Sequence, residues 1–180
     1  MKYDVVILGG GRAGLSAASK LSAVGRKVLV LGGGRSLYTK GLLRSDNFQL
    51  LRGVFARRGE FSGNRLLRVF ADKLSGTPIE ADFFILATGK FFSRGLISTM
   101  EGIFEPVFGC DVSYDRDRSL WTDPDFFASQ PFEQYGLVCD DAGRVSIGGN
   151  TVSNLFAAGE ILAGEVDVEQ SVERVCRNII

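Results

Sequence analysis

Three glycines, Gly9, Gly11 and Gly14, stand between an apolar run and an amphipathic one, and this arrangement restricts the possible folds more than any other feature of the chain. Tyr3–Leu8 (YDVVIL) is apolar, β-branched and bounded by glycine, which predicts a short buried strand. From Arg12 to Val24, Leu15, Ala18 and Leu21 recur at helical spacing, and Gly25 is placed to stop the helix. Lys27–Leu31 (KVLVL) predicts a second strand, nearly all apolar as suits a parallel strand covered on both faces. Residues 3–31 therefore read as a βαβ unit whose first turn carries G-x-G-x-x-G. Gly9 permits the tight turn, Gly11 presents no side chain to a pyrophosphate, and Gly14 lets the helix approach the strand. The helix start, with Arg12 and Ala13, offers free N–H groups and partial positive charge to phosphate oxygens. The pattern predicts an α/β, Rossmann-type FAD/NAD(P)-binding fold: a parallel sheet with helices, plus a small antiparallel strand and loop region.

The remainder divides less evenly. Gly32-Gly33-Gly34 opens a polar stretch to which no element is assigned. Ser62 or Asn64 is placed to cap a helix running to about Leu74, carrying Leu66, Leu67 and Phe70, with Gly76 as its stop. Ile79–Thr88 (IEADFFILAT) predicts a strong strand, and residues 90–135 predict loops with short strands. Leu137–Ile147 predicts a hairpin turning at Asp140-Asp141-Ala142-Gly143. Asn154–Ala158 predicts a final buried strand and Val168–Ile180 a helix. We expect one domain over residues 1–180, with the βαβ unit at 3–31, a loop-rich insertion at about 90–135 and a late motif at 154–160.

Composition narrows the chemistry. The 21 basic and 21 acidic residues cancel, so nothing points to nucleic acid or an anionic membrane as partner. No segment approaches the ~20 apolar residues of a membrane-crossing helix, and the apolar run at Val5–Leu8 is too short for a secretory signal. There is no histidine, which excludes histidine acid–base catalysis, a covalent histidine–flavin bond and histidine metal sites. Cys110, Cys139 and Cys176 are too scattered for a metal motif, and an odd count argues against a disulfide framework; no metal is expected, and a cytoplasmic location is. The pairs Phe83-Phe84, Phe91-Phe92 and Phe126-Phe127 should each send one ring to the core and one to a neighbour, since adjacent strand residues face opposite ways. Trp121 and Tyr135 are candidates for an exposed partner surface. Arg57, Arg58, Arg65 and Arg68 suit phosphate but read first as a solvated helix face.

The acidic residue that commonly holds the adenosine ribose at the end of the second strand is missing: the strand ends Val30-Leu31-Gly32-Gly33. Ribose is then left to backbone or Ser36, with Gly33 and Gly34 lining the cofactor, or the adenosine half is absent and the ligand is FMN. The same gap disfavours NAD, while Arg35 leaves an opening for NADP.

Two later motifs and the stretch between them carry a resemblance. Ala87-Thr88-Gly89 ends an apolar strand as in two-dinucleotide-binding-domain flavoproteins, and Asn154-Leu155-Phe156-Ala157-Ala158-Gly159-Glu160 resembles their late motif. Between them come Phe91-Phe92-Ser93, Gly95-Leu96, Gly102-Ile103, Glu105-Pro106, Gly109, Asp111-Val112, Asp125-Phe126-Phe127-Ala128, Gln130-Pro131 and Gln134-Tyr135-Gly136. This order resembles the B-subunit family of anaerobic glycerol-3-phosphate dehydrogenase, over about Phe83–Gly164 and again over Met1–Leu31.

The resemblance implies a non-covalent flavin, FMN or FAD, with Thr88, Gly89, Gly159 and Glu160 beside it and Glu160 meeting the ribityl chain. It implies the catalytic A and iron–sulfur C subunits of the same complex as partners, and peripheral attachment to the inner membrane through them. The complex would oxidise sn-glycerol 3-phosphate to dihydroxyacetone phosphate and pass electrons to quinone. Two departures stand out. Only residues 32–78 separate the second strand from the Ala-Thr-Gly strand, and Gly164-Glu165-Val166-Asp167-Val168-Glu169 lacks the family's glycine cluster. A shortened relative, an internally deleted form or a truncated product is expected, and a non-catalytic interaction subunit stands as the alternative function. No residue is singled out as a catalytic base.

Overall fold

The computed structural model describes residues 2–33 and 46–180. In chain order, β1 (Lys2–Leu8) leads through α1 (Arg12–Ala23) to β2 (Val28–Leu31) and, later, β3 (Phe48–Leu51). β4 (Ala56–Ser62), β5 (Arg65–Ala71) and β6 (Ile79–Leu86) follow. The short strands β7 (Ile97–Ser98), β8 (Ile103–Phe104), β9 (Val112–Ser113) and β10 (Gly136–Leu137) lie in the loop-rich region. β11 (Arg144–Ile147), β12 (Asn150–Ala157) and α2 (Val168–Ile179) complete the described chain.

The main sheet runs β11-β12-β6-β1-β2-β3. Its five strands from β12 to β3 are mutually parallel, and β11 is an antiparallel edge. Parallel strands need covering on both faces, and alternation supplies the two surfaces. Val5 and Ile7 point to the face carrying α1 and α2, with Ile85, Phe156, Val172 and Val175. Val6 and Leu8 point to the other face, with Phe84, Leu66, Val69, Leu96 and Leu137. Among the described residues, helices thus cover one face and the β4–β5 hairpin and the loop-rich region cover the second. Phe83 and Phe84 divide between the faces as expected, Phe83 against Phe156 at 6.2 Å.

The helix expected from Ser62 or Asn64 to Leu74 is instead the turn and second strand, β5, of the β4–β5 hairpin. Gly63, at φ 55°, turns the chain with Asn64, a glycine–asparagine hairpin signal that the helical reading passed over. A register shift supplies the reason for the error. Phe61 pairs with Leu66 and Glu60 with Arg68, leaving Leu67 as an extra, exposed residue. Leu66 and Val69 are therefore buried together at a spacing of three, which imitates a helix face. The arginines read as a solvated helix face stand on strands, where Arg58 covers the Phe70 ring at 3.6 Å and Arg68 meets Glu60 at 2.8 Å.

Other expectations were closer. The turn at Asp140–Gly143 forms, with Asp140 accepting the Ala142 and Arg144 amides. Its arms join only at Cys139 and Val145, because β11 pairs with β12 and β10 with β9. Tyr135 is buried and packs with Tyr114 and Trp121 at 6.0–6.4 Å, so Trp121 and Tyr135 are a packed cluster and not an exposed surface.

Asn154 staples the sheet where it forks. β6 pairs with β5 through Ile79 and Glu80 and with β12 through Phe84–Leu86. The fully buried Asn154 accepts the Leu66 amide and donates to the Leu66 and Asp82 carbonyls, each at 2.9 Å. Asn154→Ala strands those groups and should cost about 3 kcal/mol, read as a lower urea midpoint with an unchanged slope.

The three cysteines are free. Burial pushes the Cys139 thiol up to about 12, with Asp140 adding to the rise and Arg174 opposing it. Burial likewise pushes Cys176 up to about 11, with Glu173 assisting and Lys20 opposing. Since the thiolate is the reactive form, a raised pKa protects. An alkylating reagent at pH 8 should leave the native protein unlabelled and place three labels on the denatured chain, counted by mass.

Candidate functional site

A cavity of about 810 Å³ opens at the carboxyl ends of the parallel strands. Its walls follow from the topology. Leu8–Ala13 leave the end of β1, Leu31 and Gly33 the end of β2, Ala87–Gly89 the end of β6, and Ala158 and Glu160 the end of β12. Carboxyl ends of adjacent parallel strands are where open α/β sheets place ligands. The volume suits a drug- or cofactor-sized molecule.

The glycines hold this floor together. A Cβ on Gly14 would lie 1.9 Å from the Gly9 carbonyl oxygen, and one on Gly9 would lie 2.1 Å from the Ala87 carbonyl oxygen. Gly9 also sits at φ 115°, which L side chains rarely adopt. Backbone contact therefore locks α1, the end of β1 and the Ala-Thr-Gly segment into one unit. Gly11 differs: a Cβ there would meet nothing within 4 Å, so its missing side chain leaves room inside the cavity.

Gly11 caps α1 with no side-chain hydrogen bond, and the first turn holds no acidic residue. Its first N–H groups and dipole stay available to an anion. Arg12 lines the cavity, but its Nε lies 3.7 Å from Glu169 of α2. Thr88 Oγ1 lies against the cavity wall, enclosed, with no hydrogen-bond partner among the described residues. A buried hydroxyl without a partner is costly unless a ligand completes it.

Lys90 is held below the usual lysine pKa by burial, which the charges of Glu160 and Glu133 oppose. Its ammonium donates to the Glu133 carbonyl, tying the segment after Gly89 to the loop-rich region. In that region the buried Glu105 carboxylate accepts amides from Val107, Phe108 and Gly109 at 2.7–3.0 Å. That closed turn sets Pro106 and Val107 into the cavity wall.

Of the expected cofactor positions, Gly9, Gly11, Arg12, Ala13, Gly33, Thr88, Gly89 and Glu160 meet at this cavity. Gly14 and Gly159 lie behind the wall: Gly14 seats the helix, and a Cβ on Gly159 would fall 2.5 Å from Ala13 Cβ. Gly34 and Ser36 lie outside the described residues, as does Arg35. Sequence reading missed Phe55, Phe92, Arg94, Val107 and Val168 as cavity residues, and weighed Arg57 for phosphate without placing it here. Phe92 and Arg94 follow the Ala-Thr-Gly motif closely enough to have been flagged. Phe55 and Arg57 arrive at the start of the hairpin, in the stretch to which no element was assigned. Among the described residues the cavity lining contains no histidine, cysteine or tyrosine, and Glu160 is its one carboxylate. Among the described residues no group of His, Cys, Asp and Glu could hold a metal ion, and no helix is long and apolar enough to cross a membrane.

Comparison with known proteins follows the same outline. A family model described as FAD binding domain matches residues 48–171. The B subunit of anaerobic glycerol-3-phosphate dehydrogenase from Actinobacillus pleuropneumoniae serotype 5b (strain L20) is 39% identical over 126 residues, covering 67% of this chain and 29% of that protein. The like-named protein of Pectobacterium atrosepticum is 42% identical over 87 residues, covering 48% of this chain and 21% of that protein. The chain thus spans less than a third of the length of these relatives. Among solved structures, an oxidoreductase from Agrobacterium tumefaciens matches with TM-score 0.63 at 14% identity, over 99% of this chain and 97% of that one. A bacillithiol disulfide reductase from Bacillus cereus matches with TM-score 0.58 at 15% identity, over 99% of each chain. At such identities these structures speak for the fold alone.

Gly11→Val separates space from structure. It should leave stability within about 0.5 kcal/mol of the parent by urea unfolding, because no protein atom is displaced. Flavin affinity, followed by quenching of flavin fluorescence, should fall at least about tenfold because the side chain enters the cavity.

Proposed function

Because the chain belongs to the family of FAD binding domains, we propose that it is the flavin-holding part of an oxidoreductase resembling anaerobic glycerol-3-phosphate dehydrogenase. The observation that carries this reading is the cavity itself. Four parallel strand ends, a glycine floor and an uncapped helix start converge where Thr88 Oγ1 has no partner among the described residues. Its cofactor is a non-covalent flavin.

The residues divide the work as follows. The α1 amides, reached across Gly11, take the pyrophosphate or phosphate. Thr88 Oγ1 supplies a donor or acceptor at the Ala-Thr-Gly turn, and Glu160 accepts from hydroxyl groups. Phe92, fully exposed at the cavity mouth, shields the bound ligand from solvent. A bound flavin supplies the two-electron redox chemistry; the chain supplies position and electrostatics.

The substrate is sn-glycerol 3-phosphate, oxidised to dihydroxyacetone phosphate with electrons delivered to quinone. The partners are the catalytic A and iron–sulfur C subunits of that complex, through which the chain sits peripherally on the inner membrane from the cytoplasmic side. Support comes from the 39% identity to a B subunit over 126 residues. A division of labour is also supported by the cavity, where Glu160 is the one carboxylate among the described residues and is assigned to the flavin. A second reading, a non-catalytic interaction subunit, is favoured by Phe126 and Phe127. Both are exposed and meet each other edge to face at 5.7 Å.

The absorption spectrum of the purified chain should show flavin bands that leave with the small-molecule fraction on denaturation. Under anaerobic conditions sn-glycerol 3-phosphate should bleach those bands only when the catalytic partner is added. A chain that stays colourless after incubation with FAD and FMN contradicts the flavin reading. Bleaching by the chain alone contradicts the division of labour.

A further inference from the structure

Two neighbouring rings of the loop-rich region stand in water: Phe126 is 86% exposed and Phe127 93%. A loose loop could carry such rings by chance, but the backbone beneath these is tied. Asp123 Oδ1 accepts the Asp125 amide at 2.8 Å, and Asp125 Oδ1 accepts the Phe127 amide at 3.0 Å. Gln130 closes the loop. Its Oε1 accepts the Asp123 amide, and its Nε2 donates to the Asp125 and Ala128 carbonyls, all at 2.9–3.1 Å. Just beyond, the Phe132 amide donates to the carbonyl of Trp121, a member of the packed aromatic cluster. Two large apolar side chains held outward on a fixed loop have the form of an interface anchor.

The charge around them selects what they can anchor to. From Ser119 to Gly143 the chain carries five carboxylates, Asp123, Asp125, Glu133, Asp140 and Asp141, and neither lysine nor arginine, although the whole chain is neutral. Asp140 is paired with Arg144 outside this stretch. The carboxylates of Asp123 and Asp125, which precede the rings, engage amides of their own loop. A second copy meeting this one loop to loop would set those carboxylates against themselves, because a two-fold contact pairs each patch with itself. An anionic membrane surface would repel them. A protein surface with an apolar pocket bordered by lysine or arginine fits both the rings and the charge.

We propose that Phe126 and Phe127, flanked by Asp123 and Asp125, are the anchor by which this chain docks into a basic-rimmed apolar pocket on the catalytic partner subunit. This inference rests on the subunit reading given above and deepens it by naming the surface used. The same region is joined to the cavity wall. Phe132 packs edge to face on Phe91 at 5.9 Å, Lys90 donates to the Glu133 carbonyl, and Phe92 lines the cavity. A partner held by the two rings is thereby coupled, through packed side chains, to the segment that follows the Ala-Thr-Gly motif.

The test is biolayer interferometry of the whole chain against the purified catalytic subunit. The parent should bind, with affinity that falls as salt screens the opposite charges. The double variant Phe126→Ser/Phe127→Ser should weaken binding at least about a hundredfold, while flavin affinity and the thermal midpoint stay as in the parent. Asp123→Asn/Asp125→Asn keeps the acceptors that shape the loop and removes their charge; it should slow association and flatten the salt dependence. Undiminished affinity in the phenylalanine variant, or an affinity that salt leaves unchanged, overturns the inference while the flavin reading stands. The inference is equally overturned if that variant keeps its hold on the catalytic subunit but loses self-association or binding to phosphatidylglycerol vesicles. Failure of the parent to bind the catalytic subunit overturns the partner reading and the inference together.

Discussion

Gly14 has no room for a side chain, and much of the molecule follows from that. A Cβ there would sit 1.9 Å from the carbonyl oxygen of Gly9, so α1 rests directly on the turn that leaves β1. The same turn touches Ala87 at the end of β6, where a Cβ on Gly9 would come within 2.1 Å of the Ala87 oxygen. Three backbone segments are thereby held at contact distance without side chains between them. The helix start, the Ala-Thr-Gly segment and the strand ends can then share one cavity, and Gly11, which touches nothing, leaves that cavity open. Precise backbone approach of this kind is hard to relax, which is why a methyl group at Gly14 would displace the helix while one at Gly11 would displace only a ligand.

Polar staples extend this arrangement outward. Asn154 binds three strands where the sheet forks, and Glu105 closes the turn that brings Pro106 and Val107 to the cavity. Asp111 accepts the Gly148 and Gly149 amides, each at 2.8 Å, and so fixes the reversal between β11 and β12. On the helical face, Ser16 donates to Glu169 and Lys20 meets Glu173, which aligns α1 with α2. Each of these side chains works by satisfying backbone or charge at a junction, and none of Asn154, Glu105 and Asp111 lines the cavity.

Local chemistry made part of this legible in advance. β1, α1, β2 and β6 were readable because each is a short periodic run ended by glycine, and the Gly9–Gly14 turn carries its meaning in its own spacing. Thr88, Gly89 and Glu160 could be placed through the resemblance, since each follows a recognisable buried strand. β5 was misread because Leu66, Leu67 and Phe70 were taken for a helix face, while the bulge at Leu67 lets a strand bury Leu66 and Val69 together. Phe55 and Arg57 were not placed because the stretch before the hairpin carried no element assignment; they line the cavity through the start of β4. Trp121 and Tyr135 were misplaced for a related reason. Aromatic residues in a loop-rich sequence give no local sign of whether they pack on one another, as these do with Tyr114.

The central claim is that one cavity, assembled from four strand ends, holds the flavin. Amide hydrogen exchange with and without saturating FAD measures this directly. FAD should slow exchange together at residues 9–15, 87–94 and 158–160, segments far apart in sequence that only this cavity joins. Protection confined to one of them, or appearing instead on surfaces remote from the strand ends, would contradict the account.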